Sequence, residues 1–172
     1  AALAARATAA GATLVTDRIV RAICHACTDL RCRIDRDEGR ADAVVLAAEA
    51  GLTNLYPGLA DTITVVREQA VLLDGGTLTG PLRATFGWVA ARPWDGGTFV
   101  TGARFASPHL EIGELDDATT TAPVQQRLEA FARRHIPGVG AVRARWSWLT
   151  AHGCDGLPIV GPSPDDPRVV LC

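Results

Sequence analysis

Apolar and polar positions cluster along this chain in patterns that predict a definite order of elements. Residues 1–10 are strong helix formers, and Gly11 is a C-terminal stop. Leu14-Val15 starts a short strand, and Ile19, Val20 and Ile23 continue as extended chain. Residues 30–34 alternate in polarity, as a half-buried strand does, and Asp37-Glu38-Gly39 reads as a turn. Residues 43–48 form an unbroken apolar run, the pattern of a strand buried on both faces. This order belongs to an α/β lobe.

After Pro57-Gly58 the pattern changes. Residues 63–66 and 70–73 read as two strands around Arg67-Glu68-Gln69, and Asp74-Gly75-Gly76 as a turn. Residues 84–91 and 98–102 flank Asp95-Gly96-Gly97 as a hairpin, and residues 110–112 suggest a further short strand. Pro123 opens a helix with Val124, Leu128 and Phe131 on one face. Arg133, Arg134 and His135 sit at its end, where the helix dipole favours cations, and Pro137 stops it. Residues 142–149 predict a strand with Trp146 and Trp148 on one face. A turn at Asp155-Gly156-Leu157-Pro158 leads to a last strand near Arg168. The second lobe reads as a mostly antiparallel sheet with one covering helix.

Composition narrows the function. Hydrophobic residues make up 48% of the 172 positions and charged residues 21%, which fits a globular chain and excludes disorder. A net charge of −2 gives no basic surplus to neutralise phosphates, so nucleic acid is not an expected partner. The Ala-rich opening carries Arg6 and falls far short of the ~20 apolar residues of a membrane span. Five cysteines without regular spacing point to a reducing, cytoplasmic setting rather than a disulfide scaffold. There is no Met, and the chain stops on the apolar Val169-Val170-Leu171-Cys172. Both features suggest an internal piece of a longer protein.

Several chemistries can be weighed residue by residue. Gly138-Val139-Gly140 begins like a dinucleotide loop, but Arg143 stands where the third glycine belongs, and a helix rather than a strand precedes it. Cys24-His25-Ala26-Cys27 with Cys32 resembles half of a zinc site, yet a closed site needs four ligands and no second pair follows; no metal is expected. Ser107, Ser147 and Ser163 lack a nucleophile-elbow context. His152 lies between an aromatic strand and a turn, which makes it the histidine of most interest.

Four stretches appear in a telling order. Arg40-Ala41-Asp42-Ala43-Val44-Val45-Leu46-Ala47-Ala48 is followed by Thr98-Phe99-Val100-Thr101-Gly102-Ala103-Arg104-Phe105. Trp146 then precedes Asp155-Gly156-Leu157-Pro158-Ile159-Val160-Gly161-Pro162, and residues 165–171 close the set. Together, over nearly the whole chain, they resemble the FAD-dependent amino-acid and amine oxidoreductases, the superfamily of D-amino acid oxidase, glycine oxidase and sarcosine oxidase. The resemblance implies a partial Rossmann-like FAD domain at residues 1–60. It implies a substrate-binding lobe at 61–150 and a return segment at 151–172.

It also implies FAD as cofactor, a small amine or amino-acid substrate, and oxidation of a C–N bond by hydride transfer to flavin. Val20 then matches the strand residue that meets the adenine, and Ala47, Ala48, Glu49 and Ala50 the segment along the cofactor. Arg104 and Trp146 match positions on the substrate side, and His152 falls in the aligned stretch. Two departures stand out. Glu49 replaces the family's glycine after the buried strand, and Leu149-Thr150-Ala151-His152 lacks the arginine that many members use to pair a substrate carboxylate. The alternative expectation is a degenerate, non-catalytic homologue or a binding module without FAD.

Overall fold

The computed structural model describes residues 2–25 and 29–172. In chain order, helix α1 (Ala2–Ala9) leads to strands β1 (Val20–His25), β2 (Leu30–Ile34), β3 (Asp37–Ala41) and β4 (Val44–Leu46). A short helix α2 (Leu52–Leu55) precedes β5 (Ile63–Gly75), β6 (Leu82–Ala84), β7 (Val89–Trp94) and β8 (Gly97–Gly102). Then come α3 (Pro108–Glu111), α4 (Ala122–His135), β9 (Val139–Gly153), β10 (Gly161–Pro162) and β11 (Val169–Leu171). The chain divides into two compact units. One comprises Ala1–Ala47, Asn54–Pro57 and Ile159–Cys172, and the other Ala48–Thr53 and Gly58–Pro158.

The first unit holds two small sheets. Strands β1, β2 and β3 form an antiparallel sheet in that order. The turn between β2 and β3 is one residue pair earlier than the sequence suggests, because Asp35 takes the left-handed conformation (φ 54°) and Asp37 already pairs with Ile34. Arg18 reaches across this hairpin to Asp35 at 2.6 Å and Asp37 at 2.5 Å. Leu14 and Val15 are exposed and belong to no strand.

The second small sheet pairs β4 in parallel with β11, and β11 antiparallel with β10. Only Leu46 of β4 is buried, while Val45 is 65% exposed, so the apolar run is covered on one face and not on both. Tyr56 donates to Asp165 and receives the Ser163 hydroxyl, which fastens residues 54–57 to the 163–165 turn.

The second unit is a five-stranded antiparallel sheet in the order β6-β7-β8-β5-β9. The two strands expected around Arg67-Glu68-Gln69 are one continuous strand, since β9 pairs with β5 from Ile63 through Gly75. Residues 84–91 do not run as one strand either: a helical turn at Phe86–Trp88 separates β6 from β7. The expected strand at residues 110–112 is the end of α3, and only Ile112 makes an isolated bridge, to Val66.

Period-two alternation sorts this sheet into two faces. Val71, Leu73, Val89, Ala91 and Val100 face α4, whose Val124, Leu128, Phe131 and Ala132 pack on them. Leu128 and Val124 are fully buried, each contributing about 1.5–3 kcal/mol of hydrophobic stabilisation. The same face becomes polar further along β5. Arg67 donates to Glu111 at 3.0 Å, and Gln69 bonds Glu111, Thr121 and Gln125. Arg67 and Glu111 are both almost wholly buried, and this paired network pins the 108–121 segment to the sheet. The architecture is thus mixed α/β, with mostly antiparallel sheets and one covering helix.

Candidate active site

The sheet face away from α4 has a different character. Register places Glu68 opposite Trp148, Ala70 opposite both Trp146 and Thr101, and Val66 opposite Thr150. Thr101 in turn opposes Ala90, which opposes Arg83. One face therefore carries a carboxylate, two tryptophans, two threonines and an arginine. A cavity of about 340 Å³ opens on it, lined among others by Glu68, Arg83, Trp88, Thr101, Arg104 and Trp148.

Glu68 is the centre of this face. It is 8% exposed, and its Oε1 accepts a hydrogen bond from Arg104 Nη1 at 2.5 Å. A buried carboxylate is costly to leave without such a charged partner. Arg104 reaches it from the turn after β8, where Ala103 adopts the left-handed conformation (φ 55°) and redirects the chain. The Arg104 guanidinium also lies 5.0 Å from the Phe105 ring, which in turn meets Trp88 at 5.8 Å. His152 Nε2 stands 4.0 Å from Glu68 Oε1 and is buried without a hydrogen-bond partner. Such an atom is costly to leave bare, and it points at the same carboxylate.

Of the residues expected on the substrate side, Arg104 and His152 are brought together, both at Glu68. Trp146 shares the face but stands opposite Ala70, where its ring meets Phe99 at 5.6 Å. Glu68 itself escapes the sequence reading, which left Arg67-Glu68-Gln69 between two strands. The signal is a polar triplet, Arg67-Glu68-Gln69, inside an otherwise apolar run, which marks a buried polar site when the strand continues through it.

The residues expected along the cofactor fall as follows. Val20 opens β1 and is 40% exposed. Ala47 follows β4 and is exposed, and Ala48 and Ala50 are half-buried in the turn after it. Glu49 adopts the left-handed conformation (φ 50°), the backbone shape in which glycine is at ease. Its carboxylate accepts the Ala151 N–H at 3.1 Å, so the charge is turned toward β9 and tied to backbone. The backbone here keeps the glycine-like path, and the neighbouring side chains are no larger than methyl. A backbone flanked only by methyl side chains leaves room for a cofactor, which Ala47, Ala48 and Ala50 would hold through backbone.

Cys24 and Cys32 lie on adjacent strands as free thiols, and burial pushes the Cys32 thiol up, away from the reactive thiolate. Cys27 lies outside the described residues. Among the described residues, no group of three His, Cys, Asp or Glu side chains is placed to hold a metal ion.

The family model described as DAO, FAD dependent oxidoreductase, matches residues 1–172, and the chain belongs to that family. No curated protein matches it. Among solved structures, glycine oxidase from Geobacillus kaustophilus is similar at 22% identity with a TM-score of 0.78, covering 99% of this chain and 46% of that one. L-proline dehydrogenase from P. horikoshii is similar at 18% identity with a TM-score of 0.81, covering 99% and 47%. Iminodiacetate oxidase from Chelativorans sp. BNC1 is similar at 18% identity with a TM-score of 0.69, covering 96% and 45%. The chain thus spans less than half the length of these proteins, with which it shares the fold. No helix among the described residues is long and apolar enough to cross a membrane.

Proposed function

We propose that the protein containing this chain oxidises a C–N bond of a small amine or amino acid, with FAD as electron acceptor. The observation that carries the reading is the polar cluster of Glu68, Arg104 and His152 on the open sheet face, walled by Trp88 and Trp148. Bound FAD would supply a two-electron acceptor for a hydride from the carbon bearing the nitrogen, and the resulting imine would be hydrolysed by water. Glu68 offers a carboxylate to an approaching ammonium group. Its Oε2 has no hydrogen-bond partner among the described residues, while Arg104 holds Oε1 in place. The Trp88 and Trp148 side chains line the same cavity beside that carboxylate. Similar proteins named for oxidising glycine, proline and iminodiacetate support the substrate class. Val20, Ala47, Ala48 and Ala50 serve the cofactor side, with Glu49 held clear by Ala151. Free thiols at Cys24, Cys32, Cys154 and Cys172 suit a reducing, cytoplasmic setting.

The test is anaerobic mixing of the whole flavin-loaded protein with a panel of primary and secondary amines. Loss of the visible flavin band is expected with amines and not with the matching alcohols. A whole protein that binds no flavin would instead support the degenerate, non-catalytic homologue, a reading that the non-glycine residue Glu49 favours.

A further inference from the structure

The cavity on the open face is electrically uneven. Glu68 and Arg104 neutralise one another at one end, with Glu68 Oε2 unengaged. Arg83, on β6, lines the same cavity and has no hydrogen bond, ion pair or ring contact among the described residues. The other cation nearby, Arg92, is engaged differently: its guanidinium stacks 4.0 Å from the centre of the Trp94 ring. Arg83 is therefore the one cation of this cavity wall that is free to receive an anion.

Spacing then limits what that anion belongs to. From Glu68 on β5 to Arg83 on β6, register passes through Ala70, Thr101 and Ala90, across three strand intervals of about 4.8 Å each. Both side chains line the cavity, and Glu68 is paired with Arg104 and not with Arg83. An α-amino acid carries its nitrogen and carboxylate on one carbon and bridges the least of that distance. A longer molecule, with its amine at Glu68 and a carboxylate several carbons away, bridges more. The floor between is neutral and partly apolar, made by Ala90 and Thr101 under the Trp88 and Trp148 rings.

The backbone at the rim supports a built cavity rather than an accidental groove. Trp88 holds the left-handed conformation (φ 52°), rare for a bulky side chain. It is fixed there because its carbonyl accepts the Ala103 N–H at 3.0 Å. Strain of this kind persists where the surrounding structure enforces it, and it sets the ring on the cavity wall.

We infer that Arg83 is the carboxylate anchor of this site, and that the site takes an ω-amino acid or a similar amine whose acidic group is remote from the nitrogen. This rests on the amine-oxidation reading above, and it places substrate recognition on a strand far from the segment at 149–152 that lacks an arginine. A guanidinium is suited to the task because it pairs a carboxylate with two parallel hydrogen bonds.

Titration calorimetry on the whole protein tests it with three probes: 5-aminopentanoate, pentylamine and glycine. The wild type is expected to bind 5-aminopentanoate most tightly. Arg83→Ala should weaken that binding about tenfold or more, Arg83→Lys less, and neither should alter pentylamine binding. Unchanged pentylamine binding also shows that the variant is folded. Equal affinity of wild type and Arg83→Ala for 5-aminopentanoate would overturn the inference, as would tighter binding of glycine. Arg83-dependent binding without flavin reduction leaves the anchor standing and removes the oxidation; amine oxidation indifferent to Arg83 does the reverse.

Discussion

Gly102 and Trp88 meet at the cavity rim with almost no space between them. Gly102 has φ 107°, and a Cβ built on it would lie 2.1 Å from the Trp88 carbonyl oxygen. Gly102→Ala combines a disfavoured backbone shape with a contact that neither backbone can relieve. It should destabilise the protein by about 2–4 kcal/mol, seen as a lower Tm, and weaken probe binding in the cavity. An unchanged Tm would show that Trp88 is not held there. The residue scale is also where the sequence was least legible. Arg104 and His152 were expected near the substrate, yet the group that unites them, Glu68, lies in the triplet left between two expected strands. Charge alone cannot distinguish a break between strands from one strand that buries an ion pair. What decides it is the partner on another strand, and Arg104 lies 36 positions away.

Single elements were easier to read when their pattern was long. Helix α4 was foreseen at Pro123 because a proline opening, an apolar face and three terminal cations agree, and the helix does cover the core through Val124, Leu128 and Phe131. Short segments failed where local chemistry competes. Asp37-Glu38-Gly39 looks like a turn, but Asp35 takes the left-handed position first and shifts the hairpin. The segment after α3 is held by its own carboxylates. Glu114 accepts the Leu115 and Asp116 N–H groups, and Asp116 accepts the Ala118 N–H and the Thr119 hydroxyl.

Those backbone bonds hold both carboxyls below their usual range. A carboxyl whose folded pKa is depressed contributes stability that is fully present above its unfolded value, about 4, and is lost as pH falls through the folded value. Amide hydrogen exchange at Leu115, Asp116 and Ala118, corrected for intrinsic rates, should therefore lose protection as pH drops below about 4. Protection that is flat across that range would contradict the assignment.

At the scale of the whole molecule, the order of motifs was more informative than any one of them. Residues 40–48, 98–105, 146 and 155–162 are each loosely patterned, yet their sequence along the chain pointed to the family whose model matches residues 1–172. The β4–β11 pairing explains why the apolar run and the closing residues had to be read together: they are parallel neighbours, from Val44 opposite Val169 to Leu46 opposite Leu171. Parallel partners are distant in sequence, so no local pattern reveals the pairing. The same reasoning separates what fold and site each support. The fold is shared with oxidases and dehydrogenases at 18–22% identity, and fold alone does not choose a reaction. The proposal of C–N chemistry rests on the buried Glu68 carboxylate held by Arg104.

The measurement that tests this most directly is nitrogen release in a single anaerobic turnover. The whole flavin-loaded protein would be mixed with an excess of 5-aminopentanoate, and free ammonia assayed against flavin reduced. C–N oxidation with imine hydrolysis predicts one ammonia for each flavin reduced. Flavin reduced without ammonia, or ammonia absent while an alcohol reduces the flavin, would contradict the account.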